Sequence, residues 1–230
     1  MEEDPTIRSE AGFMLHLVEE VRRGRAVPAR FQRPFVWTRG DVIALWTSIL
    51  RGYPLGTFLM WRPKDAAVQG RTTLGPIPID PSPRSSLILD GQNRLVTLAW
   101  SMTPPDADVP DDAPGRHLFR SGETLVLDPA SRSARFVADD AVDGMIMPVH
   151  LLFEGMSAFF RRAWRSDADD AAMAWLDHAG SRLRETRIVT TTIEDATPEQ
   201  AKEAFLHIAR AGVPMSDDDF DRAVGNRPDE

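Results

Sequence analysis

The feature that most restricts the fold of this chain is that its 230 residues include no cysteine. Without cysteine there is no disulfide framework, zinc knuckle, iron–sulfur cluster or thiol nucleophile, so stability has to come from a hydrophobic core. An apolar content of 42% and this length suit one ordinary domain, which buries roughly 70% of its unfolded surface. The sequence therefore predicts a single domain over residues 1–230.

Charge and targeting signals narrow the partners and the compartment. The chain has 27 Lys and Arg against 35 Asp and Glu, a net charge of −8, which argues against non-specific nucleic-acid binding by bulk charge but allows a local basic face. The acidic start Met1–Pro5 lacks the apolar region of a signal peptide. No apolar run approaches the roughly 18 to 20 residues of a membrane helix. We therefore expect a cytoplasmic protein without membrane contacts.

Apolar residues at helical spacing predict several amphipathic helices. One covers Met14 to Val21, with Ser9 as a plausible N-cap, and a second begins after Asp41 as its cap. Helical spacing returns after Arg94 and in the segment Met156–Trp164, and it dominates the chain from about 151 to 230. We therefore expect a mainly helical C-terminal subdomain over about 151–230.

Short apolar runs bounded by Gly, Pro and Ser predict strands between these helices. Two of the runs form a hairpin whose turn is Pro129-Ala130-Ser131. The predicted strands cover residues 26–28, 57–61, 87–89, 123–128, 134–138 and 187–193.

The segment Asp90-Gly91-Gln92-Asn93-Arg94 combines a strand end, a glycine turn and a helix start. Such a junction collects main-chain N–H groups and the positive end of a helix dipole, which makes it a ready anion site. Gln92 and Asn93 add amide donors, Arg94 can grip a phosphate in bidentate fashion, and Asp90 can hold Mg²⁺ or orient a water. In the alternative interpretation, Asp90 only caps the helix and Arg94 pairs with a surface carboxylate.

A second candidate segment, Phe31–Trp37, is dense in aromatic and cationic residues. Arg30, Gln32 and Arg33 could line a groove in which a base stacks while the cations meet phosphates. The alternative is that the aromatic residues belong to the core and the arginines to a solvated edge. Tyr53, the only tyrosine, lies in a Gly and Pro turn, where it could stack on a base or anchor the turn.

Other common catalytic signatures are missing from the sequence. The five histidines form no closely spaced metal-binding pair, and there is no Gly-x-Ser-x-Gly elbow, Walker loop or Gly-x-Gly-x-x-Gly fingerprint. This excludes a P-loop NTPase and a Rossmann dehydrogenase. The acidic run Asp217–Asp221 is more simply read as a complement to a helix dipole than as a metal site.

Motifs in a fixed order resemble the N-terminal domain family of the GmrSD restriction systems, within the ParB and sulfiredoxin-like superfamily. These are Phe31–Trp37, the turn Gly52–Gly56 with the strand after it, and Ile88–Leu95, together with a closing helix-turn-helix-like segment, Phe205–Phe220. The resemblance spans about Phe13 to Val224, nearly the whole chain.

This resemblance implies an α+β fold, with a small mixed sheet flanked by helices, and a cleft. Across that cleft Gln32 and Arg33 would face Asp90, Gln92 and Arg94. The residues expected to bind nucleotide or phosphate are Gln32, Arg33, Tyr53, Gly91, Asn93 and Arg94, and those expected to act in catalysis are Asp90, Gln92 and Arg94, with Asp90 as the Mg²⁺ ligand.

The function that the resemblance implies is a sensor domain of a prokaryotic anti-phage, modification-dependent restriction system. The domain would bind a nucleoside triphosphate with Mg²⁺, with hydrolysis left open, and any DNA contact would lie in the local basic cleft of Arg30, Arg33 and Arg94. Two alternatives are a non-catalytic module that binds modified DNA through the same cleft, and a protein-interaction module whose site has decayed.

The sequence departs from the family pattern at a few positions. Asn93 replaces a usual second glutamine, Phe31 and Phe35 replace usual tyrosines, and Ala209 stands where asparagine is typical, which puts hydrolysis in question. Sulfiredoxin activity is excluded because it requires a cysteine. The chain has no His-Asn-His nuclease motif before Glu230, so we expect any cutting of DNA to be done by a separate nuclease or defence-system subunit, or by a C-terminal region missing from this sequence.

Overall fold

The computed structural model describes residues 5–30, 35–64, 70–153 and 169–210, with side chains as far as His207. In chain order the strands are β1 (Thr6–Phe13), β2 (Ala26–Pro28), β3 (Thr57–Pro63), β4 (Thr73–Leu74), β5 (Ile77–Pro78), β6 (Ser86–Asp90), β7 (Glu123–Asp128), β8 (Ser133–Ala138), β9 (Met147–Pro148) and β10 (Arg187–Ala196). The α-helices are α1 (Met14–Arg22), α2 (Arg39–Arg51), α3 (Gln92–Ser101), α4 (Arg116–Phe119), α5 (Asp170–Glu185) and α6 (Pro198–Arg210).

A five-stranded mixed sheet in the order β1-β10-β3-β6-β2 organises the fold. β10 pairs antiparallel with β1 and parallel with β3, while β6 pairs antiparallel with β3 and parallel with β2. A three-stranded sheet, β8-β7-β9, and the small β4-β5 hairpin accompany it. The α+β fold with a mixed sheet and helices is therefore confirmed.

The predicted strands recur in this architecture with small shifts at their ends. The hairpin that the turn at Pro129 predicts is the β7-β8 pair, in which Glu123 lies opposite Ala138. Strand β3 is buried at four successive positions, Phe58 to Trp61. A strand covered on both faces produces such a continuous apolar run.

Two predicted helix caps are wrong. Ser9 does not cap α1, because it lies within β1, where its hydroxyl hydrogen-bonds to that of Thr191 at 2.9 Å. α1 begins instead at Met14 without a side-chain cap. The cap of α2 is Thr38 rather than Asp41: Thr38 accepts from the main chain of Asp41, whose carboxylate accepts in return from the Thr38 main chain at 2.7 Å. This reciprocal capping box satisfies two helix-end donors.

One large core, rich in tryptophan, lies between the sheets and helices, and Val126, Val137 and Ile146 form a separate small cluster. Trp46 and Trp61 are at most 1% exposed, and their indole N–H groups donate to the Ser101 hydroxyl and the Ala196 carbonyl, each at 3.0 Å. α3 is buried at nearly every position from Leu95 to Ser101. A helix that is buried on all sides belongs in the centre of a domain. Its packing there holds the N-terminus of α3 in place.

The last third of the described chain combines helix and strand. β10 lies between β1 and β3 in the main sheet, with α5 before it and α6 after it. The segments Met156–Trp164 and Asp217–Asp221 lie outside the described residues, so the expected helical subdomain over about 151–230 stays a prediction. No helix among the described residues combines the length and the apolar character needed to cross a membrane.

Candidate functional site

The candidate site is the junction at which β6 ends and α3 begins. β6 ends at Asp90, Gly91 turns the chain with φ of 94°, and α3 starts at Gln92. A side chain at Gly91 would be strained at this φ, and its Cβ would lie 2.3 Å from the ring of the fully buried Phe58. Glycine is therefore required at this position by the backbone angle and by packing.

No side chain caps the N-terminus of α3. The first main-chain bond of the helix runs from the Leu95 N–H to the Gly91 carbonyl at 3.2 Å. Helix geometry therefore leaves the N–H groups of Gln92, Asn93 and Arg94 without partners inside the helix, at the positive end of its dipole. This arrangement suits an anion.

The side chain of Gln92 adds a second unusual feature at the same helix end. Gln92 is only 5% exposed, and its Oε1 has no hydrogen-bond partner among the described residues. An unpaired buried acceptor costs about 1 to 3 kcal/mol. A water or a ligand that donates a hydrogen bond would remove this cost.

Arg94 lies beneath the junction and holds it together. Its side chain is 15% exposed, and its guanidinium stacks 4.2 Å from the centre of the Phe58 ring. It donates hydrogen bonds to the carbonyls of Leu55 and Thr57, the latter at 2.8 Å, and to Asp90 Oδ2 at 3.2 Å. Burial lowers the pKa of Arg94, and the charge of Asp90 opposes this decrease. The residue thus joins α3 to the turn before β3.

Asp90 presents the exposed carboxylate of the site. Its side chain is 56% exposed, with Oδ2 facing Arg94. In the described part of the chain, no group of three or more His, Asp or Glu residues could hold a metal ion. A lone carboxylate is not an all-protein metal cage, but it matches the way Mg²⁺ is held by one or two carboxylates together with substrate phosphates. The donor set therefore fits Mg²⁺ only as a companion of a phosphate ligand.

The remaining predicted site residues are less closely connected to this junction. Asn93 is half-buried in the first turn of α3. Tyr53 is 55% exposed at the C-terminal end of α2, with the Arg51 guanidinium 6.0 Å from its ring centre. Arg30 donates to the Gly70 carbonyl at 3.5 Å. Gln32, Arg33 and Phe31 lie outside the described residues, as does the side chain of Ala209 in α6.

Sequence reasoning missed Leu55, Thr57 and Phe58 as parts of this site. Leu55 and Thr57 contribute main-chain carbonyls, and a contact made by the main chain cannot be predicted from the residue type. The one available signal was the turn that ends at Gly56, where a Cβ would lie 3.0 Å from Arg94 Nη1. That turn is one of the motifs on which the family resemblance rests.

The fold and the junction define an α+β domain with an uncapped helix start at the C-terminal end of an interior strand of a mixed sheet. The profile of the family described as GmrSD restriction endonuclease, N-terminal domain, matches residues 14–223. The chain belongs to this family, as the motifs predict. It is also 31% identical over 134 residues to an uncharacterized protein of Methanocaldococcus jannaschii, a match that covers 55% of this chain and 23% of that protein.

Proposed function

We propose that this chain is a nucleotide-binding sensor domain of a restriction system, with the nucleotide phosphates at the N-terminus of α3. The observation that carries the proposal is the uncapped first turn formed by Gln92, Asn93 and Arg94. Main-chain N–H groups at a helix start hold phosphate in many proteins. Membership of a restriction-endonuclease family supports the sensor role.

The unpaired Oε1 of Gln92 favours a nucleotide over a bare phosphate. A carboxamide oxygen accepts hydrogen bonds but cannot contact a phosphate oxygen favourably. A nucleotide offers donors as well as phosphates, in its ribose hydroxyls and in its base. A ligand that places a donor on Gln92 and a phosphate on the helix start would satisfy both features of the junction.

Arg94 has a positioning role in this proposal. Its hydrogen bonds to the carbonyls of Leu55 and Thr57 and to Asp90 engage three of the five N–H donors of the guanidinium. These bonds compete with a bidentate grip on phosphate. We propose that its buried charge attracts the phosphates through a medium of lower dielectric than water. Direct contact between Arg94 and phosphate stays a prediction.

Asp90 is the residue that would hold Mg²⁺ beside the phosphates. When bound, Mg²⁺ would neutralise phosphate charge and polarise a phosphoryl oxygen. Asp90 projects into solvent next to the helix start, from which it can orient the ion or a water. Gln32, Arg33 and Tyr53 would complete the site. A nuclease, on another chain or in a region outside this sequence, would receive its signal. We also propose that the domain has the ParB and sulfiredoxin-like architecture.

Nucleotide binding can be tested with an added charge that does not disturb the fold. Asn93→Asp places a negative charge in the first turn of α3, where it stabilises the helix but repels phosphate. We expect the affinity for ATP or GTP with Mg²⁺, measured by isothermal titration calorimetry, to fall more than about tenfold. A matched control is Ala171→Asp, which makes the same charge change at the second residue of α5.

The outcomes of this experiment are distinct. Reduced affinity in Asn93→Asp with unchanged affinity in Ala171→Asp supports the site. The site is wrong if wild type and Asn93→Asp bind equally. Failure of the wild type to bind either nucleotide contradicts the function itself. DNA binding that weakens steeply with salt and ignores nucleotide would favour the alternative of a modified-DNA module.

A further inference from the structure

The second feature of interest is β1, which forms one edge of the main sheet. It pairs with β10 on one side, and no described strand lies beyond it. Seven of its eight residues are exposed. An exposed edge of this length is a template for pairing with another strand.

The direction of the main-chain groups along β1 follows from one hydrogen bond. The Met14 N–H, just past the strand, donates to the Thr186 carbonyl at 2.9 Å, in continuation of the register that places Phe13 opposite Arg187. Antiparallel strands alternate between residues that bond to the partner and residues that do not. Arg8 and Glu10 therefore direct their main-chain groups toward β10, and Ile7, Ser9 and Ala11 direct theirs outward.

One face of this edge is apolar and exposed to solvent. Ile7 is 66% exposed, Phe13 43% and Val189 of the neighbouring strand 42%. Since Ile7 and Ala11 are on one face of β1 and Val189 lies opposite Ala11, these side chains form a short apolar strip, which the hydrogen-bonded hydroxyls of Ser9 and Thr191 interrupt. Exposed apolar strips of this kind mark interaction surfaces.

We propose that β1 pairs antiparallel with β1 of a second copy of this chain, around a two-fold axis through Ser9. In this register Ser9 lies opposite its own copy and Ile7 opposite Ala11, so the outward main-chain groups bond to each other. Arg8, which within its own chain lies 3.6 Å from the Glu194 carboxylate, then also lies opposite Glu10 of the second copy, and the same ion pair forms again across the axis. The apolar strips of the two copies become continuous.

The order of charges along β1 selects this register. Symmetric pairing has to place outward main-chain groups opposite each other, which a two-fold axis through any residue from Ile7 to Ala11 allows. An axis through Arg8 or through Glu10 would place like charges opposite each other. Centring on Ile7 would place Arg8 opposite Thr6, and centring on Ala11 would place Glu10 opposite Gly12, so both lose the ion pairs. Only the register centred on Ser9 pairs the outward groups and joins opposite charges. Charges on an edge strand often block pairing, but these two complement their own copies.

Charge reversal gives a sharp test. Glu10→Arg leaves Arg8 opposite the introduced arginine of the second copy, and Arg8→Glu leaves two glutamates opposite each other. Each variant should therefore self-associate at least about tenfold more weakly than wild type. An equimolar mixture restores an opposite-charge partner at each of these positions. We expect sedimentation equilibrium to show dimers in wild type and in the mixture, and monomers in either variant alone.

A backbone variant provides an independent readout. Ser9→Pro removes an outward N–H and the hydroxyl bond to Thr191 but leaves the main-chain hydrogen bonds to β10, at a position where an edge strand tolerates proline. We expect it to abolish dimers with the fold retained by circular dichroism. The proposal is overturned if wild type is monomeric up to about 0.2 mM, if dimers persist in Glu10→Arg, or if the mixture fails to associate. If β1 pairs with a strand of a different protein instead of with its own copy, the wild type will not self-associate.

Discussion

The guanidinium of Arg94 donates a hydrogen bond of 2.8 Å to the main-chain carbonyl of Thr57. This bond joins the first turn of α3 to the first residue of β3, and the two bonded residues are 37 positions apart in the chain. A second bond from the same group reaches the Leu55 carbonyl. One buried side chain therefore connects two of the motifs that define the family.

The first prediction concerns the identity of this cation. Arg94→Lys keeps the charge but cannot reach three acceptors with a planar fork, so we expect a loss of about 1 to 3 kcal/mol in the free energy of unfolding. Urea unfolding followed by tryptophan fluorescence measures it. Arg184→Lys is the control, because Arg184 is exposed and its Nη2 donates to the Ser181 hydroxyl; it should change stability by less than about 0.5 kcal/mol. Equal effects would show that Arg94 does not hold the junction.

Gly91 gives a prediction in which backbone and packing effects are separated. Gly91→Ala should cost about 2 to 4 kcal/mol, because it combines a positive φ with a clash against Phe58. Gly122→Ala is a matched control: its φ is 81°, but nothing lies within 4 Å of the added Cβ. The difference in urea midpoint between the two variants measures the Phe58 contact. If both lose the same stability, packing at Gly91 is not restrictive.

The elements that the sequence predicts well are those with local signals. The β7-β8 hairpin follows from its turn, and the junction from Asp90 to Arg94 follows from a strand, a glycine and a helical stripe. The capping box of α2 also has a local signature, because Thr38 stands three residues before Asp41. The prediction of Asp41 as the cap did not use this spacing. Local chemistry of this kind can be read from sequence.

Strand β1 was missed because its partner is distant. Ser9 lies beside Thr191, 182 residues along the chain. Since β1 is exposed on both faces and Ser9 interrupts the apolar series Ile7, Ala11 and Phe13, its alternation of apolar and polar types is incomplete. The acceptors of Arg94 were missed for a different reason, because they are main-chain carbonyls. Long-range pairing and main-chain contacts are the two kinds of information that residue types alone do not carry.

Asp128 predicts how stability depends on pH in the β7-β8 hairpin. Burial raises the pKa of Asp128, but the hydrogen bond from Arg135 at 2.9 Å, with bonds from Ser131 and Ala130, lowers it further, so the net pKa lies below its usual value. A lowered pKa in the folded state stabilises the protein above the unfolded pKa of about 4 and loses this contribution as pH falls through the folded pKa.

The measurement for Asp128 is the free energy of unfolding at pH 7 and near pH 3. We expect Asp128→Asn to be destabilised at pH 7 by about 1 to 2 kcal/mol, with a smaller gap to wild type at the acid end. Arg135→Gln removes the main partner, so Asp128→Asn should cost less in that background. A gap that is constant across this pH range would contradict the assignment.

The last prediction concerns Asp90 and rests on the proposed function. Asp90→Asn removes the exposed carboxylate that would hold Mg²⁺ but keeps a side chain of the same shape. In the ion pair with Arg94 at 3.2 Å, Asp90 is itself the exposed member, so stability should fall by no more than about 0.5 kcal/mol. We expect the increase in nucleotide affinity on adding Mg²⁺, and any release of phosphate, to be lost in this variant. Asp140→Asn, at an exposed aspartate distant in sequence, should retain both. If Mg²⁺ strengthens nucleotide binding equally in wild type and Asp90→Asn, the ion is held elsewhere, even when nucleotide still binds at α3.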